Sequence, residues 1–188
     1  GTASNALPTV TNTGFTIQEG GIINVTTALL NASDVESAAS SLQFTLLALT
    51  DATLFRDINN NGVVNTGEAI AIGETFSQQD IANGLLKIRH NGNQPSTNTL
   101  SVKVSDGTGS STSSHAFTVT NVNDGPVGLP VITGTAGRGQ TLTANTSGLS
   151  DADGLGTLSY QWKSDGVDIT SATNSTYTVA RADIGKKI

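Results

Sequence analysis

Short runs of alternating apolar and polar residues, each closed by a turn signal, set the rhythm of this chain. Leu42-Gln43-Phe44-Thr45-Leu46 alternates, and Leu100-Ser101-Val102-Lys103-Val104 does so again before stopping at Ser105-Asp106-Gly107. Phe15-Thr16-Ile17 runs into the turn Glu19-Gly20-Gly21, residues 22–27 are rich in β-branched side chains, and residues 85–90 and 116–122 keep close to period two. Successive side chains on a strand point to opposite faces, so each run offers one row to a core and one to water. Many short runs with regular punctuation predict an all-β sandwich. One short helix is expected over 77–82, with Ser77 as N-cap, Asp80 at the capping-box position and Gly84 as the stop.

The text changes near residue 125. Asn121-Val122-Asn123-Asp124-Gly125-Pro126 cannot continue a central strand, because proline lacks the donor and Gly-Pro punctuates. This places a first module at 1–125 and a second at 126–188. In the second, Val131-Ile132, Thr141-Leu142-Thr143, residues 158–163 and residues 176–179 read as strands. A segment as short as the second is marginal alone, since small domains bury only ~60% of their unfolded surface.

Composition narrows the function classes. Charged residues are 13% of the chain, the net charge is −6, and Cys and Met are absent. No basic cluster offers a footprint for nucleic acid or anionic lipid. No apolar run approaches the ~18 residues of a membrane-spanning helix. The chain opens Gly1-Thr2-Ala3 without a signal-peptide pattern, so it is expected to be a piece of something longer. Without disulfides, extracellular repeats need another stabiliser, and an acidic, Asn/Asp-rich chain suits a bound cation.

The sharpest motif is Asp57-Ile58-Asn59-Asn60-Asn61-Gly62-Val63-Val64-Asn65-Thr66-Gly67-Glu68. It satisfies every fixed position of the twelve-residue calcium loop. A hard cation takes six to eight oxygens, so short oxygen side chains must recur at alternate positions: Asp57, Asn59 and Asn61. Gly62 permits the sharp turn, Val63 offers its carbonyl, Asn65 contributes directly or through water, and Glu68 closes the site with two oxygens. The flanks at 52–55 and 69–72 read as strand or loop, so the loop is grafted on a β-scaffold and is no helix-opening sensor. With charge from Asp57 and Glu68 alone, affinity is expected in the weak range, ~10⁻⁴–10⁻³ M, suited to an extracellular module. A weaker interdomain set is Asp34, Glu36, Asp106, Asn123 and Asp124, expected to gather at one end of the sandwich.

Catalytic patterns are missing. There is no Gly-x-Ser-x-Gly elbow and no cysteine nucleophile, and His90 and His115 are expected at the surface. One Trp and two Tyr are few for a sugar-stacking cleft.

Taken together, Gly14-Phe15-Thr16-Ile17-Gln18-Glu19-Gly20-Gly21, Leu29-Leu30-Asn31-Ala32-Ser33-Asp34, the loop segment, Asp80-Ile81, Leu85-Leu86-Lys87-Ile88-Arg89-His90 and the Asn123-Asp124-Gly125-Pro126 linker resemble a cadherin-like repeat of the chondroitin-sulfate-proteoglycan type. Such repeats occur in giant bacterial surface adhesins. The resemblance raises Asn123 and Asp124 as linker ligands. Ile132-Thr133-Gly134-Thr135, Gly139-Gln140-Thr141-Leu142, Leu158-Ser159-Tyr160-Gln161-Trp162, Tyr177-Thr178-Val179 and Asp183-Ile184-Gly185 resemble a bacterial Ig-like repeat, with Trp162 as its core tryptophan and two further strands expected after Gly185. The resemblances imply two tandem Greek-key β-sandwich modules, the second incomplete. They imply a non-catalytic extracellular or cell-surface protein: an adhesin, biofilm or fibre component rigidified by calcium. Its partners would be neighbouring repeats or subunits and a host or matrix ligand. The alternatives are a carbohydrate-binding module and a fibre subunit that polymerises by β-strand complementation.

Overall fold

Alternation sorts the apolar residues onto the inner faces of two sheets. The computed structural model describes residues 4–188, so Gly1, Thr2 and Ala3, which carry the reading of an excised start, lie outside the described residues. The chain divides into two units, Gly1–Val122 and Asn123–Ile188.

The first unit holds β1 (Thr9–Asn12), β2 (Thr16–Gln18), β3 (Ile22–Asn24), β4 (Leu30–Ser33), β5 (Gln43–Leu49), β6 (Ala52–Arg56), β7 (Ala69–Ile70), β8 (Thr75–Ser77), α1 (Gln78–Ala82), β9 (Leu86–His90), β10 (Asn98–Ser105) and β11 (Ser110–Thr120). One sheet has the order β2-β11-β10-β5-β8, the other β3-β9-β6-β7, and β1 pairs with β4. All pairings are antiparallel except β2 with β11. Between the sheets lie Phe44, Leu46, Phe76, Leu100, Val102 and Val104 from the first, and Leu54, Ile70, Leu86 and Ile88 from the second. Phe44 and Phe76 stack with centroids 5.0 Å apart, directly opposite each other in the β5–β8 register. Aromatic pairs across a ladder fix that register as well as burying area.

The short helix forms as its capping residues predict. The Ser77 hydroxyl accepts from Asp80 N–H at 3.0 Å, and the Asp80 carboxylate accepts from Ser77 N–H at 2.9 Å. Gly84, at φ +70°, ends the turn. Ile81 plugs the core, and Gln78, also buried, accepts from Ala32 N–H and donates to Asn31 Oδ1. The helix is thus tied to β4 through polar contacts that satisfy a strand edge.

Two expectations are corrected here. Residues 110–114, ahead of the run at 116–122 that reads as strand, are the first half of β11, pairing with 101–105 of β10. Their side chains are half-buried or exposed, so no apolar alternation marks them, and long-range pairing alone makes them strand. His90, expected at the surface, is only 1% exposed. Its Nδ1 accepts from the N–H groups of Gly20 and Gly92, both at 3.2 Å, and so ties two turns together.

The second unit contains β12 (Val131–Thr133), β13 (Thr141–Asn145), β14 (Lys163–Ser164), β15 (Val167–Asp168) and β16 (Thr176–Thr178). β13 is the middle of a three-stranded sheet, and β14 and β15 form a hairpin. Trp162, Leu142 and Val179 make its core, with Tyr177 against the indole at 5.7 Å. The indole N–H donates to the Asn174 carbonyl at 2.9 Å, so the buried polar edge is satisfied. Residues 158–163 read as a strand, but 158–161 lie outside every ladder; Trp162 N–H donates to the Ala172 carbonyl and the Trp162 carbonyl accepts from Ile169 N–H, and the β14–β15 ladder begins at Lys163. Periodicity marks which side chains turn inward, but a strand also needs a neighbour to pair with.

Candidate metal centre

The loop 57–68 connects β6 to β7, which pair antiparallel through Leu54↔Ile70 and Phe55↔Ala69. Arg56 N–H donates to the Glu68 carbonyl and Asp57 N–H to the Leu85 carbonyl, which pins both ends of the loop to the sheet. Leu54 faces the sandwich core, so Phe55 faces the other way, beside its cross-strand partner Lys87. Phe55 is nevertheless fully buried. The loop folds back over this outer face: a Cβ at Gly62 would meet Ile22 Cδ1 at 3.7 Å, and Lys87 reaches Asp57 and Asn60.

Inside the loop the side-chain oxygens face inward through a chain of local bonds. Asp57 Oδ1 accepts from Asn61 N–H and Oδ2 from Gly62 N–H, both at 2.9 Å. Asn59 Oδ1 accepts from Asn61 N–H, and Asn61 Oδ1 from Val63 N–H at 2.8 Å. Gly62, at φ +70°, occupies the left-handed region that the sharp turn demands. Glu68 Oε2 accepts from Asn65 N–H at 2.9 Å. Asp57 and Glu68 are both buried, 3% and 7% exposed.

Three oxygens then converge on one point. The Asn65 side-chain amide nitrogen donates to Glu68 Oε2 at 3.0 Å, the Val63 carbonyl at 3.2 Å and Asn61 Oδ1 at 3.4 Å. These are loop positions twelve, seven and five, gathered round the Asn65 side chain at position nine. The residues therefore fit a hard cation: an all-oxygen set with two buried carboxylates. Among the described residues no three His, Cys, Asp or Glu side chains assemble into a metal-holding group. A cation here draws on amide and main-chain oxygens beside Asp57 and Glu68.

Lys87 and Asn60 are the site residues that the sequence reading lacked. Lys87 Nζ donates to Asp57 Oδ2 at 2.5 Å and to Asn60 Oδ1 at 2.8 Å. This ammonium, ahead of the Gly62 and Asn61 N–H groups, holds the Asp57 carboxyl below the usual carboxylate range, although burial pulls the other way. Alternation of the core residues Leu86 and Ile88 puts Lys87 on the outer face, but only the Phe55↔Lys87 register brings it to Asp57.

Of the interdomain candidates, Asp34, Glu36 and Asp106 lie in the first unit and Asn123 and Asp124 in the second. Asp34 Oδ1 accepts from the N–H groups of Glu36 and Ser37 in the turn after β4. Asp106 caps the β10–β11 turn through Thr108 and Gly109 N–H, with Asn5 donating to its second oxygen at 2.9 Å. Asp34 follows Ser33, which pairs with Thr9, so these acids lie where the chain enters the first unit. Asn123 and Asp124 follow β11 and open the second unit. There the Asn123 side chain donates to the Asp124 carbonyl, and Asp124 N–H donates to the Asp153 carboxylate.

The chain is 32% identical over 102 residues to the human FRAS1-related extracellular matrix protein 2, covering 54% of this chain and 3% of that protein. Among solved structures, titin domains Z1Z2 in complex with telethonin align with 15% identity and a TM-score of 0.32, covering 90% of this chain and 75% of that one. A chimeric titin Z1Z2 carrying a KLER peptide from decorin aligns with 13% identity and a TM-score of 0.29 over the same shares. The model of the cadherin-like family matches residues 8–125, the stretch that holds both sheets of the first unit and the loop at 57–68; the chain belongs to the cadherin-like family.

Proposed function

We propose that this chain is a non-catalytic structural and adhesive stretch of a secreted or cell-surface protein of bacterial origin, in which calcium stiffens a cadherin-like module. The observation that carries the reading is the convergence of Asn61, Val63 and Glu68 oxygens on one point within a loop clamped to the sheet at both ends. Asp57, Asn59, Asn61, Val63, Asn65 and Glu68 are the proposed ligands. Bound calcium would tie β6 to β7 and hold the loop against the outer face of the sheet. Asp34, Glu36 and Asp106 would face a preceding repeat, and Asn123 and Asp124 the next one. The module boundary is proposed at residues 125/126, with an Ig-like repeat following. An extracellular setting suits both a weak calcium site and the extracellular-matrix relative.

Aromatic burial favours a spacer over a carbohydrate-binding module. Phe44, Phe55, Phe76, Phe117 and Trp162 are buried, Trp162 in the core of the second unit, and Phe15, Tyr160 and Tyr177 are half-buried. Fibre assembly by strand complementation has one supporting observation. Residues 155–161 lie outside every ladder, and Leu158 and Tyr160 line an apolar trough with Val131 and Ile132. Calorimetric titration of the purified chain with calcium and with magnesium tests the principal reading. Calcium should bind in the ~10⁻⁴–10⁻³ M range with little heat from magnesium. No calcium binding up to about 10 mM, well above that range, would end the proposal.

A further inference from the structure

Resting on the calcium reading above, we infer that Lys87 is a tethered counter-cation of the loop, competing with a divalent ion for Asp57 and setting the affinity of the site. Its ammonium is the charged partner of a carboxylate side chain with no exposed surface, and the Lys87 side chain is itself only 13% exposed. A carboxylate buried to that degree needs a compensating positive charge in the folded chain. Lys87 provides one from β9, across the sheet from Phe55, and Asn60 supplies the second acceptor that aims the ammonium. Asn60 sits in the left-handed region, at φ +53°, where asparagine is among the residues best tolerated.

Arg56, the neighbouring cation, is engaged elsewhere: its guanidinium donates to Asp80 at 3.3 Å and to the Thr75 carbonyl at 2.8 Å. Lys87 is therefore the cation that enters the charge balance of the loop. Two carboxylates and one ammonium leave one net negative charge for an incoming dication. The ammonium has room to move, because Lys87 also lines an open depression with Asn24, Thr26, Thr27, Asn60 and Gly84. The hydroxyl and amide groups there can receive the ammonium when a dication takes Asp57. Binding would then shift the Lys87 side chain and pass the event from the loop to β9 and β3.

The test is calcium titration calorimetry on the full chain and on Lys87→Met, which keeps the apolar stem, with melting in chelator and in calcium. Removing the competing charge should tighten calcium binding by about tenfold or more. It should also lower the melting temperature in chelator and enlarge the calcium-induced rise. Lys87→Arg, which keeps the charge, should stay within about threefold of the parent. If Lys87→Met does not fold, Lys87→Gln, whose amide still donates to Asp57, carries the same comparison. Calcium binding by the parent with no gain in the neutral variant would overturn the role of Lys87 and leave the calcium reading intact. No binding by the parent or any variant would overturn both.

Discussion

Replacing Glu68 by Gln should erase a calcium-induced rise in melting temperature whose size follows from the site. Glutamine keeps an oxygen to accept from Asn65 N–H but removes one of the two negative charges of the ligand set. A parent site of ~10⁻⁴–10⁻³ M at about 10 mM calcium stabilises the fold by roughly 1.4–2.7 kcal/mol, from RT ln(1 + [L]/Kd). The first unit, Gly1–Val122, has 122 residues. At ~2.1 cal/mol/K per residue its unfolding entropy is about 0.26 kcal/mol/K, so the expected rise is about 5–10 °C. Scanning calorimetry in chelator, calcium and magnesium measures it. The parent should rise with calcium only, and Glu68→Gln should melt at nearly one temperature in all three buffers. A parent rise below about 2 °C, or an equal rise with magnesium, would refute the assignment of a weak, calcium-selective oxygen site.

Other outcomes follow from the packing and the charges. Phe76→Ala removes one ring of the Phe44 stack from the centre of the core and should destabilise the first unit by ~3–5 kcal/mol in urea denaturation. Ser77→Ala should cost about 1 kcal/mol, because it leaves the Asp80 N–H without its cap. In the second unit, the Tyr177 hydroxyl at 2.6 Å, and after it the Ala180 N–H, hold the buried Asp183 carboxyl below its ordinary 3.8. A depressed folded pKa contributes stability above the unfolded value and loses it as pH falls through the folded one. Trp162 emission should therefore report an acid-induced loss of stability below about pH 3.8, reduced in Tyr177→Phe; an unchanged acid limb in that variant would contradict the linkage.

Local patterns were legible from the residues alone wherever the physics is local. Alternation in residues 42–46 and 100–104 marks the core rows of β5 and β10 because side-chain direction on a strand has period two. The Ser77 and Asp80 capping box, the Gly84 stop and the oxygen spacing from Asp57 to Glu68 depend on neighbours a few residues away. The all-β character of both units and the strand flanks of the loop rest on the same kind of signal.

Tertiary structure decided whatever depends on which strand lies beside which. The serine-rich start of β11 is strand because β10 pairs with it, and residues 158–161 are not, because they join no ladder. His90 is buried through the turns of Gly20 and Gly92, seventy and two residues away. Lys87 meets Asp57 only through the register Phe55↔Lys87. A one-residue slip would send that lysine to the core face and leave the buried carboxylate unpaired. Spacing along the chain thus sets the ligand oxygens of the loop, and strand pairing over thirty residues sets the charge they hold.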